Sequence, residues 1–166
     1  MARRLDIKNL VPRKNGPYRQ GYYQAINPEK YVGDFGKIIF RSAWERRFCI
    51  FCDTNPAVIA WSSETIQIQY IDPIDQRMKP YNVDFYMKIK RDGAEVNYII
   101  EVKPAKKLLK PEIKEKRISE KRMNAHIVQT KEYIVNMHKF EAAKKWAKDR
   151  GWEFLVVTEN FLYGNG

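Results

Sequence analysis

Asp84, Glu101 and Lys103 are the residues whose types and spacing in this chain could do chemistry. They fall within Tyr81–Lys103, where two alternating runs, YNVDFYMKIK and EVNYIIEVK, flank Asp92-Gly93. An Asp-Gly pair between such runs signals a β-hairpin with a two-residue turn. With those two residues as the loop, Arg91 pairs with Ala94. Ile89 then faces Val96, Met87 faces Tyr98, Phe85 faces Ile100, and Val83 faces Val102. All four pairs are apolar and share one face, so the register is self-consistent. It also sets Asp84 opposite Glu101 on the other face, with Lys103 about 6–7 Å further along the strand.

Two carboxylates roughly 4.5–5.5 Å apart across a ladder repel each other, unless a cation lies between them. Oxygen ligands suit Mg²⁺, Mn²⁺ or Ca²⁺, and a lysine alongside could orient or deprotonate a bound water. The plainer alternative is a solvated pair screened by Lys103. The apolar neighbours Ile99, Ile100 and Val102 point to burial. Burying unpaired carboxylates is costly, which favours a metal site.

Val83-Asp84, followed on the next strand by Glu101-Val102-Lys103, resembles the signature of the PD-(D/E)XK nuclease superfamily, with Val83 where a proline is usual. From Arg3 to the C-terminus the chain resembles the head completion nucleases of T4-type bacteriophages. It is more distantly similar to the end-cutting nuclease subunit of Tn7-type transposition. The resemblance implies a restriction-endonuclease-like core and hydrolysis of DNA phosphodiesters dependent on Mg²⁺ or Mn²⁺. It implies Asp84 and Glu101 as metal ligands, the Val102 carbonyl as a third, and Lys103 orienting the attacking water. A glutamate on the first core helix, Glu45, completes the metal shell or holds one of its waters. The implied setting is late phage assembly in the host cytoplasm or on the virion, with head or portal proteins as partners. Two other readings stay open: a non-catalytic DNA-binding protein closing the capsid portal, and a branched-DNA resolving nuclease.

Composition agrees with a nucleic-acid partner. The chain has 166 residues, a net charge of +11 and a pI near 9.6, the balance of a protein that binds a polyanion. Arg3, Arg4, Lys8, Arg13, Lys14 and Arg19 crowd the N-terminus. Nine basic residues from Lys103 to Arg122 form a second concentration against three glutamates. Double-stranded DNA is the expected partner, through salt-sensitive phosphate contacts. No apolar run reaches the roughly 18–20 residues of a membrane span, and no signal peptide is visible. Cys49 and Cys52 are the only cysteines. Without a second pair or a nearby histidine they read as buried, reduced thiols suited to a reducing cytosol.

The elements that must position these residues form an α/β domain with a central mixed sheet flanked by helices. Residues 1–30 read as a basic, aromatic-studded arm and 31–166 as a single domain. The run 37–52 has helical spacing, with Phe40, Trp44, Phe48 and Phe51 or Cys52 as its apolar stripe. Ser42-Ala-Trp-Glu45 matches a capping box. The Lys37–Phe40 run argues instead for an earlier helix start, leaving Glu45 to the active site. Strands are expected over 57–61 and 64–71, with Glu64 an exposed strand residue or an outer ligand. After Pro104, helices follow over 112–136 and 138–149. The first buries Ile118, Met123, Ile127, Tyr133 and Ile134. Gly151 stops the second helix, and a buried strand closes the chain over 152–158. Arg41, Arg46 and Arg47 are candidates for phosphate contacts. Lys106, Lys107, Lys110, Lys121, Gln129 and Lys131 extend the expected DNA surface.

Overall fold

The hairpin forms in the register its turn dictates. Asp92 and Gly93 both take left-handed backbone angles, φ 50° and 79°, as a primed two-residue turn requires. Strands β4 (Met78–Arg91) and β5 (Ala94–Val102) pair from Arg91–Ala94 to Phe85–Ile100 as expected. The ladder stops there. Beyond it the Val102 amide donates to the Asp84 side chain at 2.7 Å, so a carboxylate replaces the next backbone partner. The computed structural model describes residues 20–164.

Around this hairpin the elements run β1 (Gly21–Tyr23), β2 (Ile38–Phe40), α1 (Ala43–Thr54), β3 (Val58–Ile71), β4, β5, α2 (Glu120–Lys148), β6 (Glu153–Val157) and α3 (Glu159–Leu162). The main sheet has the order β3-β4-β5-β6, with β6 parallel to β5 and the other neighbours antiparallel. Two apolar layers cover it. Phe48, Cys49 and Cys52 of α1 pack with Trp61, Phe85, Met87, Ile100 and Val102. Ala143 and Ala147 of α2 pack with Ile68, Tyr70, Tyr81, Val83 and Ile99 on the other face. Both cysteines are free and buried in α1, as expected.

Several boundaries differ from the sequence reading. Lys37–Phe40 is not the first turn of α1: Ile38–Phe40 is a strand paired with β1, and Ser42 caps the helix. Three consecutive residues, two of them β-branched and all buried, suit a strand better than a helix start. The strands expected at 57–61 and 64–71 are one strand, β3, interrupted by a bulge. The two C-terminal helices are one. Ser119 accepts a hydrogen bond from the Arg122 amide and starts α2, which runs 29 residues to Lys148 because neither Gly nor Pro interrupts it. Only its second half is fixed to the sheet. Met123 and Ile127, expected to be buried, are 40% and 44% exposed, and Ile134 is exposed as well. Gly151 does end the turn after α2, at φ 68°. β6 pairs in parallel with β5 but, where a buried strand was expected, lies at the sheet edge with Leu155 exposed.

Of the segment read as an arm, residues 20–30 are tied into the domain by α1. Asp53, 1% exposed, accepts hydrogen bonds from the Tyr23 hydroxyl and the Ile26 and Asn27 amides at 2.7–2.9 Å. Lys30 donates to the carbonyls of Cys52, Asp53 and Asn55, all at 2.8 Å, and so closes the C-terminal end of α1. Burial alone pushes the Asp53 carboxyl up, but the hydrogen bonds outweigh it and hold it below the usual carboxylate range. A depressed carboxyl stabilises the fold at neutral pH and loses that contribution as pH falls through the folded value. Asp53→Ala is expected to cost about 2–4 kcal/mol in urea unfolding at pH 7. The gap between the wild type and Asp53→Asn should narrow below about pH 4, which unfolding at several pH values would measure.

Candidate active site

The site begins with the bulge in β3. Ser63 pairs with Phe85 and Ile66 with Val83, so Glu64 and Thr65 together oppose the single residue Asp84. Glu64 takes the extra backbone turn at φ 52°. Such a bulge sharpens local twist and re-aims side chains on the partner strand. Its effect shows in the packing: Phe85 joins the α1 layer while Val83, two residues earlier, joins the α2 layer. The expected facing of Val83 and Val102 is therefore lost, and Asp84 stands where the strand changes faces. Asp84 and Glu101 nonetheless come together. Burial raises the Asp84 carboxyl well above its ordinary value, and Glu101 and then Glu45 push it further in the same direction.

Glu101, 6% exposed, is held on both oxygens. Lys103 Nζ lies 2.9 Å from Oε1, and the Tyr81 hydroxyl donates to Oε2 at 2.6 Å. Burial works against the charge on Lys103, but Glu101 and Asp84 more than offset it and raise the ammonium above its ordinary value. An amine beside Glu101 is placed to act on a bound water or on negative charge building at the acids. Lys139 of α2 reaches the same place, its Nζ 5.5 Å from the ring centres of both Tyr70 and Tyr81. Burial, then the nearby Lys103, lowers its ammonium.

Glu45 takes the local capping role that the sequence reading set against an active-site one. It closes the capping box: the Glu45 amide donates to Ser42 Oγ at 3.1 Å, Ser42 Oγ contacts Oε1 at 3.1 Å, and the Arg41 amide donates to Oε2 at 2.7 Å. It also faces the acids, since burial and then the charges of Glu64 and Glu101 raise its carboxyl despite those bonds. Glu64 is not an exposed strand residue. It is 7% exposed and grips the Arg41 guanidinium with both oxygens, Oε2 at 3.0 Å from one terminal nitrogen. A bulge and a bidentate ion pair thus brace the chain immediately before α1. Arg41, expected to touch phosphate, is committed to this brace.

Beside the acids opens a cleft of about 510 Å³, lined by Gln20, Arg41, Ser42, Ala43, Trp44 and Glu45 on one side and by Val102, Lys103, Pro104, Lys107 and Glu132 on the other. An adjoining recess of about 270 Å³ brings together Lys106, Lys107, Lys110 and Gln129. These residues therefore border the site. Lys121 and Lys131 lie on the exposed face of α2. Arg47 instead donates to the Leu162 carbonyl at 2.7 Å and stacks on Tyr163. Arg3, Arg4, Arg13 and Lys14 lie outside the described residues.

Tyr81, Lys139 and the Arg41–Glu64 pair escaped sequence reasoning. Tyr81 opens the hairpin, and its reach to Glu101 depends on the face change at Asp84. Lys139 arrives only through the crossing of α2 over the sheet. No spacing rule links 41 to 64.

Among the described residues, no three His, Cys, Asp or Glu side chains are grouped to hold a metal ion. The donor chemistry still suits a hard divalent cation: oxygen atoms only, in buried carboxylates that repel one another. The repulsion has a measurable consequence. A raised carboxyl favours the fold only while protonated, and the neutral protein carries the cost. Asp84→Asn keeps an acceptor for the Val102 amide and removes the charge, so in metal-free buffer it is expected to stabilise the protein by about 1–2 kcal/mol. Thermal and urea unfolding in EDTA would measure this, and the gain should shrink at acidic pH.

The model of the family described as TnsA-like endonuclease N terminal matches residues 55–159, which include Asp84, Glu101 and Lys103. The head completion nuclease of Enterobacteria phage T4 is 35% identical over 146 residues, covering 88% of this chain and 95% of that protein. No solved structure matches.

Proposed function

The chain belongs to the TnsA-like endonuclease family, and on that premise we propose that it hydrolyses DNA phosphodiesters with a divalent cation, Mg²⁺ or Mn²⁺, at Asp84 and Glu101. The single observation that carries this reading is Glu101, held by Lys103 at 2.9 Å, standing close enough to Asp84 for its charge to raise that carboxyl. A fold maintains such repulsion at a cost, and active sites are where that cost is met.

Asp84 and Glu101 would hold the cation, with the Val102 carbonyl and Glu45 completing its oxygen shell. When bound, the cation supplies Lewis acidity and a more acidic water. The residues of the chain do the rest. Tyr81 fixes the orientation of Glu101 through one oxygen. Lys103, 2.9 Å from Glu101, is set to orient water and to stabilise negative charge building on the phosphoryl oxygens. The capping box fixes Glu45 to the first turn of α1, and the Arg41–Glu64 brace fixes the residue before that cap. Lys106 and Lys110 border the site and would hold the DNA backbone.

We assign the reaction to the processing of phage DNA at head completion, after packaging, on the strength of the T4 relative's name and the extent of the match. Head proteins are then the expected partners.

Incubating supercoiled plasmid with Mg²⁺ or Mn²⁺ tests the site. The wild type should nick or linearise it, Asp84→Ala should lose detectable cutting, and Lys103→Ala should lose about 10²–10³-fold in rate. Equal cutting by all three proteins, or cutting undiminished by EDTA, would reject the assignment. In filter binding, Lys106→Ala and Lys110→Ala should each lower the slope of log affinity against log salt by about one.

A further inference from the structure

The cleft beside Lys103 is not built like a phosphate track. Its cations are already engaged: Arg41 with Glu64, Lys103 with Glu101, and Lys107 with Glu132 at 2.9 Å. Glu45 and Glu132 add negative charge to the same lining. Beyond these pairs and the polar Gln20 and Ser42, the cleft offers apolar surface: Ala43, Val102, Pro104 and Trp44. Trp44 is half-buried, packed against the core and set 6.5 Å, ring centre to ring centre, from Tyr163. At about 510 Å³ the cleft falls in the range that encloses a small organic ligand.

A paired duplex keeps its bases stacked inside and presents phosphates to a protein surface. It has nothing to put against an indole in a recess. An unpaired nucleotide does, because a base exposes two flat apolar faces that stack on aromatic side chains whatever its identity. We infer that this cleft receives an unpaired nucleotide adjoining the scissile phosphate, with its base against Trp44, so that the preferred substrate is DNA with a single-stranded end or gap at the cut. The inference rests on the nuclease reading and specifies its substrate class. Lys103 lines the cleft and also contacts Glu101. A base in the recess therefore sits within one residue's reach of the carboxylates.

The test uses labelled duplexes of one sequence, either blunt or carrying a short 5′ or 3′ overhang, cut in Mg²⁺ by the wild type, Trp44→Phe and Trp44→Leu. A parallel arm measures binding of a short oligothymidylate to the same proteins in EDTA, where no cutting occurs. The wild type should prefer an overhang to a blunt end. Trp44→Leu should lose about tenfold of that preference and of oligothymidylate affinity, as expected for one stacked base. Trp44→Phe, which keeps a ring, should retain most of both and guards against a variant that merely packs badly. A wild type indifferent to overhangs overturns the inference, as does a preference and affinity that survive in Trp44→Leu. A wild type that cuts no DNA at all counts against the nuclease reading, and the EDTA arm still decides the role of Trp44.

Discussion

Acids crowded closely enough to repel one another are the constraint from which the rest of this structure follows. Asp84, Glu101 and Glu45 come from three different elements; the charges of Glu101 and Glu45 raise the Asp84 carboxyl, and those of Glu64 and Glu101 raise Glu45. Left alone, that arrangement would open the sheet or draw in solvent. The protein answers with local partners for each acid: the Val102 amide for Asp84, Lys103 and Tyr81 for Glu101, and Ser42 with the Arg41 amide for Glu45. Each partner fixes its carboxylate in direction while leaving the cluster short of positive charge.

The bulge in β3 makes this possible. Two residues opposite Asp84 give β4 an extra twist, end its pairing with β5 and free the Val102 amide for a side chain. The same extra residue, Glu64, turns into the interior and fixes Arg41, whose amide in turn holds Glu45. One backbone irregularity therefore orients acids on two elements. A regular strand would give neither the buried Glu64 nor the interruption at Asp84.

The helices have unequal roles. α1 presents its capped N-terminus to the site and is secured at its far end by Asp53 and Lys30. α2 is anchored through Phe140, Ala143 and Ala147, delivers Lys139 toward the acids, and leaves its first half exposed beside the basic segment that precedes it. An exposed, basic half-helix beside the recess of Lys106 and Lys110 suits a surface that meets a polyanion.

Much of this was legible in the linear chain, for reasons of range. The Asp92-Gly93 turn is a four-residue event, and period-two alternation then determines every pair from Arg91–Ala94 to Phe85–Ile100. The capping box at Ser42 and Glu45 is equally local, but the apolar run before it reads as helix because buried strands and buried helix turns share a composition. Nothing local marks a bulge, since its signature is one extra residue relative to a partner strand. The single long α2 was hidden because the sequence shows which residues are apolar and not which stretch of a helix meets the sheet. The chain by itself determined the hairpin, the pairing of acids with a lysine, and a positive charge suited to a polyanion. Only the tertiary structure decided that Asp84 sits where a strand changes faces, that Glu45 both caps and confronts the acids, and that Tyr81 holds Glu101. Those outcomes depend on burial and on partners distant in the chain, which no spacing of residues encodes.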